Sequence, residues 1–362
     1  THLAAMIRRR EVTSRQVVDA HIERAEDVGQ VINALVADRF ANARQEADEA
    51  DARIARGHVE DLPPLFGVPC TIKEAFWLEG MPNSAGLVKR RDVRSTEDAP
   101  TVARLRAAGA IPLGVTNTSE LCMWFESNNR VYGRTNNPYD PARMVGGSSG
   151  GEGAIIGSGA SPFGLGSDIG GSIRMPAFFN GVFGHKGSAG LIPNTGQFPI
   201  GTGDEPKYLC AGPLCRRAED LPTLIRILQG PDGTDPYARD IAIGNVDHVD
   251  VAKLHVYSIE TNHFRPVSKK LVARQRDIAR SLERMGATVE TLELPELRNT
   301  LDYWGTALSS GDGVSFHEML GDGDAPPLAR EFIKWAFRKS DHTLPALGLA
   351  LAEHIPMLNK KN

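Results

Sequence analysis

The chain has 362 residues, 41% hydrophobic and 24% charged, the composition of an ordinary globular protein with enough apolar content for a large core. Its net charge of −4 offers no basic field for nucleic acid or acidic lipid, and the one basic run, Lys89-Arg90-Arg91, is broken by Asp92. No stretch reaches the roughly 18 uninterrupted apolar residues that would span a bilayer, and four cysteines without a Cys-x-x-Cys pair suggest a reduced chain in the cytoplasm.

The first residues, Thr1-His2-Leu3-Ala4, do not form a secretory signal, and the missing initiating Met suggests a trimmed or partial start. Thr13 opens a helix with Gln16 completing a capping box, and Val17, Val18, Ile22 and Ala25 form its apolar side. Ala43, Ala47, Ala50 and Ile54 repeat at helical spacing. Residues Leu65 to Ile72 read as a buried strand that ends at Lys73-Glu74, where α/β proteins place their chemistry. Asp98 to Ala108 predicts a helix with Asp98 as N-cap, Pro100 early and Gly109 past its end. A strand at Ile111 to Val115 follows. Further on, the pattern gives a strand at Leu254 to Ser258, a helix from Pro266 to Met285 and a strand at Ala287 to Leu294. Strand–helix–strand at these lengths implies parallel pairing. Gly230 to Asp250, rich in Gly, Asp and Pro, is the expected loop between subregions. The chain stops in Leu351 to Met357 and a polar tail, which reads as an incomplete end of a domain.

Residues Met144 to Gly190 differ in composition from the rest, with fifteen glycines from Gly146 onward and seven serines, Ser148, Ser149, Ser158, Ser161, Ser167, Ser172 and Ser188. Interleaved apolar residues such as Ala154-Ile155-Ile156 and Met175 to Phe179 argue against a flexible linker and for close backbone approach. Walker A fails for want of a closing Gly-Lys-Ser/Thr. The dinucleotide fingerprint fails because Gly157 comes one residue too late after Gly151-Glu152-Gly153. Gly146-Gly147-Ser148-Ser149-Gly150 fits Gly-x-Ser-x-Gly, yet it follows the turn-rich Asn137 to Arg143 and not a buried strand, which weakens an α/β-hydrolase elbow.

In Ser167-Asp168-Ile169-Gly170-Gly171-Ser172-Ile173-Arg174, two glycines before a serine let successive backbone N–H groups converge on one point, as an oxyanion hole requires. A hydroxyl nucleophile needs a base. His185 is the nearest histidine, without an evident orienting Asp; Lys73 is the other candidate, since burial can leave a lysine neutral.

Gly146 to Ala154, then Gly166 to Pro176, preceded by Gly67-Val68-Pro69-Cys70-Thr71-Ile72-Lys73-Glu74, resemble the amidase signature family. Within it, Glu74-Ala75-Phe76, Gly80 to Ser84, Glu120 to Trp124 and Met175 to Gly181 resemble the second type of animal fatty-acid amide hydrolase and its bacterial relatives. The resemblance implies an α/β fold with a mixed, largely parallel sheet covered by helices on both faces. It runs from the N-terminal helix to about residue 225, is weaker afterwards, and implies a single domain over residues 1–362, short at its C-terminal end, with a signature core near 65–190. It implies a serine hydrolase cleaving amide carbon–nitrogen bonds through an acyl-enzyme, with no cofactor and no metal. Lys73, Ser148 and Ser172 would be catalytic, the backbone N–H groups of Ile169, Gly170, Gly171 and Ser172 would form the oxyanion hole, and Ser149, Asp168 and Arg174 would support them. Cys122, Met123 and Trp124 are candidates for an acyl pocket, and equally for plain core. The family pattern also implies a cis peptide before Ser148. Gly187 departs from it, standing where a proline usually follows Gly-x-Lys. The expected partner is a small-molecule amide, with a homodimer left open. Two alternatives stand beside this reading: an amidotransferase-type subunit of the same fold and a catalytically silent binding protein.

Overall fold

The computed structural model describes residues 2–57, 61–200, 205–309 and 313–354. The chain divides into two compact units, Thr1–Ile241 with Gly311–Asn359, and Ala242–Ser310 with Lys360–Asn362. The break after Ile241 falls inside the Gly-, Asp- and Pro-rich stretch 230–250.

The first unit begins with α1 (His2–Arg8) and α2 (Ser14–Ile32). Thr13 caps α2 as its sequence predicts: its side chain accepts from the Gln16 N–H while Gln16 bonds back to the Thr13 N–H. After β1 (Leu35–Asp38) and α3 (Phe40–Ala55) come β2 (Val68–Lys73), α4 (Pro100–Ala107) and β3 (Ala110–Thr116). Asp98 does not cap α4. Ala99 occupies that position, and the Asp98 carboxylate instead accepts from the Glu79 N–H at 2.9 Å. A short hairpin, β4 (Asn128–Asn129) and β5 (Gly133–Arg134), precedes α5 (Gly150–Gly157), β6 (Phe163–Asp168), α6 (Arg174–Asn180), β7 (Phe183–Gly184), β8 (Cys210–Cys215) and α7 (Leu221–Leu228).

Six strands form one mixed sheet in the order β1-β3-β2-β6-β8-β7. Its centre, β3-β2-β6, is parallel, and β1, β8 and β7 pair antiparallel at the flanks. β2 lies in the middle of the parallel part and is buried along its whole length, which explains its near-continuous apolar sequence. Helices cover the sheet: Val18 and Ile22 of α2 and Ala43 and Ala47 of α3 pack on Ile111 and Leu113 of β3, and α5 and α6 pack with α2 through Ala154, Ile155, Ala177 and Ala25.

The second unit contains β9 (His255–Ser258), α8 (Lys269–Arg284), β10 (Thr288–Thr291) and α9 (Thr300–Ser309). β9 and β10 pair parallel across α8, as the strand–helix–strand spacing requires, and each element is shorter at its ends than its apolar pattern suggested. The first unit resumes with α10 (Phe316–Leu320), α11 (Leu328–Ala336) and α12 (Leu344–Ala352). Phe316, Leu320, Ala346 and Ala350 bury against Leu87 and Leu121. No described helix is long and apolar enough to cross a membrane.

Candidate active site

β2 delivers Lys73 to the carboxyl end of the parallel sheet, with the side chain fully buried. Its Nζ lies 2.7 Å from Ser148 Oγ and 3.0 Å from Ser167 Oγ. Loss of hydration disfavours the ammonium, so the pKa falls below that of an ordinary lysine, although the Cys122 thiol, Asp168 and Glu152 oppose the shift. A neutral amine in this position can accept the Ser148 hydroxyl proton while donating one N–H to Ser167.

Two loops carry the serines and meet through their backbones; among the described residues no hydrogen bond joins the Ser148 and Ser172 hydroxyls. Ser148 precedes α5 and follows a turn-rich segment, and its peptide bond with Gly147 is cis, as the family pattern implies. Ser127 Oγ donates to the Ser148 carbonyl at 2.9 Å and accepts from the Gly150 N–H at 2.8 Å. Ser172 lies in the turn between β6 and α6. The Ser149 N–H donates to the Ser172 carbonyl at 3.1 Å, tying one serine loop to the other. Ser172 is 8% exposed where Ser148 is 1% and Lys73 is 0%, so of the three Ser172 is the group an incoming molecule meets.

Asp168 and Arg174 hold the Ser172 turn. Asp168 Oδ1 accepts from the Gly171 N–H (2.8 Å) and Arg174 Nη2 (2.9 Å); Oδ2 accepts from the N–H groups of Ile173 and Arg174 (3.1 and 3.2 Å) and from Arg174 Nε (3.0 Å). Burial works against its charge, but Arg174 and these N–H groups outweigh it and hold the carboxyl below its usual range. The expected oxyanion set of Ile169, Gly170, Gly171 and Ser172 needs one correction: the Gly171 N–H is engaged by Asp168 inside the turn. Gly171 has φ +119°, a backbone conformation that L side chains rarely adopt, which is why glycine stands there.

The three pocket candidates separate. Cys122 lies beside Lys73, with its Sγ 3.4 Å from Thr118 Oγ1. Met123 packs against the Leu87–Leu121–Phe316 cluster, which is core. Trp124 is partly exposed, with its ring 5.4 Å from that of Phe125. The turn carrying them is anchored from the C-terminal helices: buried Glu120 accepts from His342 Nδ1 and from the Thr343 N–H, both at 2.8 Å. His185 is half-buried with its pKa lowered by that burial, and among the described residues no hydrogen bond joins its ring to Ser148 or Ser172. Among the described residues no group of His, Cys, Asp or Glu has the arrangement of a metal site.

Sequence reasoning gave no role to three buried groups. Ser167 is the second partner of Lys73. Glu74 accepts from the Ser84 N–H and Oγ (2.7 and 2.6 Å), the Ala85 N–H (2.8 Å) and Tyr132 Oη (2.7 Å), fixing the 83–86 loop beside the lysine, with its pKa raised by burial. Glu152 on α5 accepts from Thr71 Oγ1 (2.7 Å) and Thr116 Oγ1 (2.8 Å), and burial pushes its pKa up to about 7. The available signal was an acid inside an otherwise apolar or glycine segment.

A model of the amidase family matches residues 16–347. The chain is 49% identical over 367 residues to fatty-acid amide hydrolase 2-A of Danio rerio and 44% identical over 365 residues to fatty-acid amide hydrolase 2 of Homo sapiens. Each alignment covers 97% of this chain and 68% of the relative. Among solved structures, a fatty acid amide hydrolase superposes with TM-score 0.82 at 25% identity, covering 99% of this chain and 63% of that one. The peptide amidase of Stenotrophomonas maltophilia superposes with TM-score 0.79 at 25% identity, covering 97% and 74%.

Proposed function

The chain belongs to the amidase family and is an enzyme acting on amide carbon–nitrogen bonds, and we propose that it works through an acyl-enzyme on Ser172, with Ser148 and Lys73 relaying the proton. The observation that carries this reading is the 2.7 Å contact between a fully buried Lys73 amine and the Ser148 hydroxyl.

Neutral Lys73 takes the proton of Ser148, which takes that of Ser172. Ser172 Oγ bonds to the amide carbon, and the carbonyl electrons move onto oxygen. Backbone N–H groups of the 169–172 turn receive that charge, Gly170 and Ser172 foremost, since Gly171 serves Asp168. One such donor is worth about 3–4 kcal/mol in the transition state. The carbon–nitrogen bond then breaks as Ser148 returns a proton to the leaving nitrogen, because an amide anion leaves far too poorly. Water adds to the acyl-enzyme through the same relay in reverse and releases the acid and Ser172. Ser149, Asp168 and Arg174 keep the two loops in register. Because these relatives are named fatty-acid amide hydrolases, fatty-acid amides come first in a substrate panel, with short and aryl amides as comparisons.

The test is covalent labelling. A fluorophosphonate probe labels Ser172, and Ser172→Ala abolishes the label. Label that survives in Ser172→Ala but is lost in Ser148→Ala would move the nucleophile to the elbow serine.

A further inference from the structure

Attack by Ser172 leaves an ammonium on the fully buried Lys73, and some fixed negative charge must oppose it. Three acidic or potentially acidic groups act on the amine: the Cys122 thiol, Asp168 and Glu152. Asp168 is already matched by the Arg174 guanidinium and three backbone N–H groups. Cys122 is a thiol. Glu152 is different, since its carboxyl group is held by two neutral hydroxyls, those of Thr71 and Thr116.

Its seat is built from the three central strands. Thr71 lies two residues before Lys73 on β2, so both side chains point to the same face of the sheet. Thr116 on β3 is the register partner of Lys73 itself. On β6, Gly164 leaves the space that Glu152 Oε2 occupies; a Cβ there would collide with it. The carboxyl group is therefore fixed on the face of the sheet that carries the amine, and it is fully buried.

The geometry points to Glu152 as the buried counter-charge of the Lys73 ammonium that forms during acylation, a positioning residue that sets how readily the amine takes the Ser172 proton. This rests on the Ser172 acyl-enzyme reading. On the sheet, the residues facing the carboxyl group are Thr71 and Lys73 of β2, Thr116 of β3 and Gly164 of β6; the Cys70 thiol, one residue before Thr71, lies on the other face of the strand, where burial pushes it further up. With Glu152 ionised beforehand, the proton that Lys73 gains through Ser148 takes the buried pair from one negative charge to none, and no proton leaves the carboxyl group.

The test is the rate of fluorophosphonate labelling as a function of pH, which isolates the base because the probe's fluoride needs no proton to leave. Removing the negative charge disfavours the ammonium, so in Glu152→Gln the acid limb of the rate profile moves to lower pH by about one unit, and the plateau rate falls about tenfold. Thr116→Val, which takes one donor from the carboxylate and makes it harder to ionise, moves the limb in the same direction by less. An unmoved limb in a Glu152→Gln protein with the wild-type melting temperature overturns the inference. Should Glu152→Gln fail to fold, Thr116→Val decides by the same criterion. Lys73→Ala separates the two levels: loss of the limb there with an unmoved limb in Glu152→Gln sinks only the counter-charge. A wild-type limb in Lys73→Ala sinks the relay and the counter-charge with it.

Discussion

Replacing Asp168 by asparagine tests whether one carboxylate organises the Ser172 turn. The substituted side chain would keep one oxygen, and its amide nitrogen would face either Gly171 N–H and Arg174 Nη2, or Ile173 N–H with the N–H and Nε of Arg174. Two or three of the five bonds are lost, and donors then face donors. Hydrogen bonds to a charged group are worth about 1.5–3 kcal/mol each. The Arg174 share is discounted to under about 1 kcal/mol, because its side chain is more than half exposed and solvent screens the pair. Loss of one or two buried backbone bonds therefore dominates, and Asp168→Asn is expected to destabilise the protein by about 2–4 kcal/mol. Arg174→Gln, which leaves the carboxylate and its backbone bonds in place, should cost under about 1 kcal/mol. Urea unfolding gives both values, and fluorophosphonate labelling should slow at least roughly tenfold in Asp168→Asn as the turn loosens. The pH dependence follows the same logic. The folded carboxyl lies below its unfolded value, so its stabilisation is fully present above about pH 4 and fades as acid approaches the lower folded value. Asp168→Asn should flatten that acid loss. If Asp168→Asn matches Arg174→Gln in stability and in labelling rate, the carboxylate is not what holds the turn.

Lys73→Met should be dead to the probe yet more stable than wild type at neutral pH, because folding strips the lysine of both water and proton. The wild type recovers as pH rises towards the unfolded lysine value of about 10.4, so the difference in melting temperature must shrink with pH; a gap that stays constant would mean Lys73 is not neutralised on folding. Glu120→Ala removes the anchor of His342 Nδ1 and the Thr343 N–H, at a cost of about 1.5–3 kcal/mol to the packing of the C-terminal helices. Limited proteolysis should then cut residues 313–354 faster, and an unchanged rate would show that the apolar cluster alone holds them.

Much of the site was legible because its parts obey local rules. A buried parallel strand announces itself as an apolar run, and a charge at its end stands out; Lys73 was visible for that reason. The Gly-Gly-Ser turn was visible because only glycine supplies the backbone at Gly171. The capping box at Thr13 and Gln16 rests on the same kind of short-range chemistry. What local pattern misses is pairing across the chain. Asp98 carries an N-cap side chain, but the Glu79 N–H, nineteen residues earlier, takes it. Glu120 finds His342 at a separation of 222 residues, and no spacing rule encodes such a partner. Glu152 sits in a glycine-rich helix with nothing nearby in sequence to seat it; its two hydroxyl partners lie on strands 81 and 36 residues away.

The proposed relay depends on a tension between folding and basicity. A lysine becomes a useful base near neutral pH only when the protein makes its ammonium unfavourable, and the burial that achieves this lowers stability in the same measure. Placing the amine at the end of the central strand lets the sheet absorb that cost through backbone pairing on both sides of β2. The proposed relay nevertheless requires the ammonium to appear for a moment, so the site cannot simply be apolar. Hydroxyls answer the first need: Ser148 and Ser167 solvate the amine without favouring its charge as a neighbouring carboxylate would. In the counter-charge proposed above, a carboxylate held by Thr71 and Thr116 on the same face of the sheet answers the second while bonded elsewhere. The acid limb of acylation and the pH dependence of stability thus report one quantity, the free energy of a charge on Lys73 inside this sheet, and a substitution that moves one without the other would break the link between them.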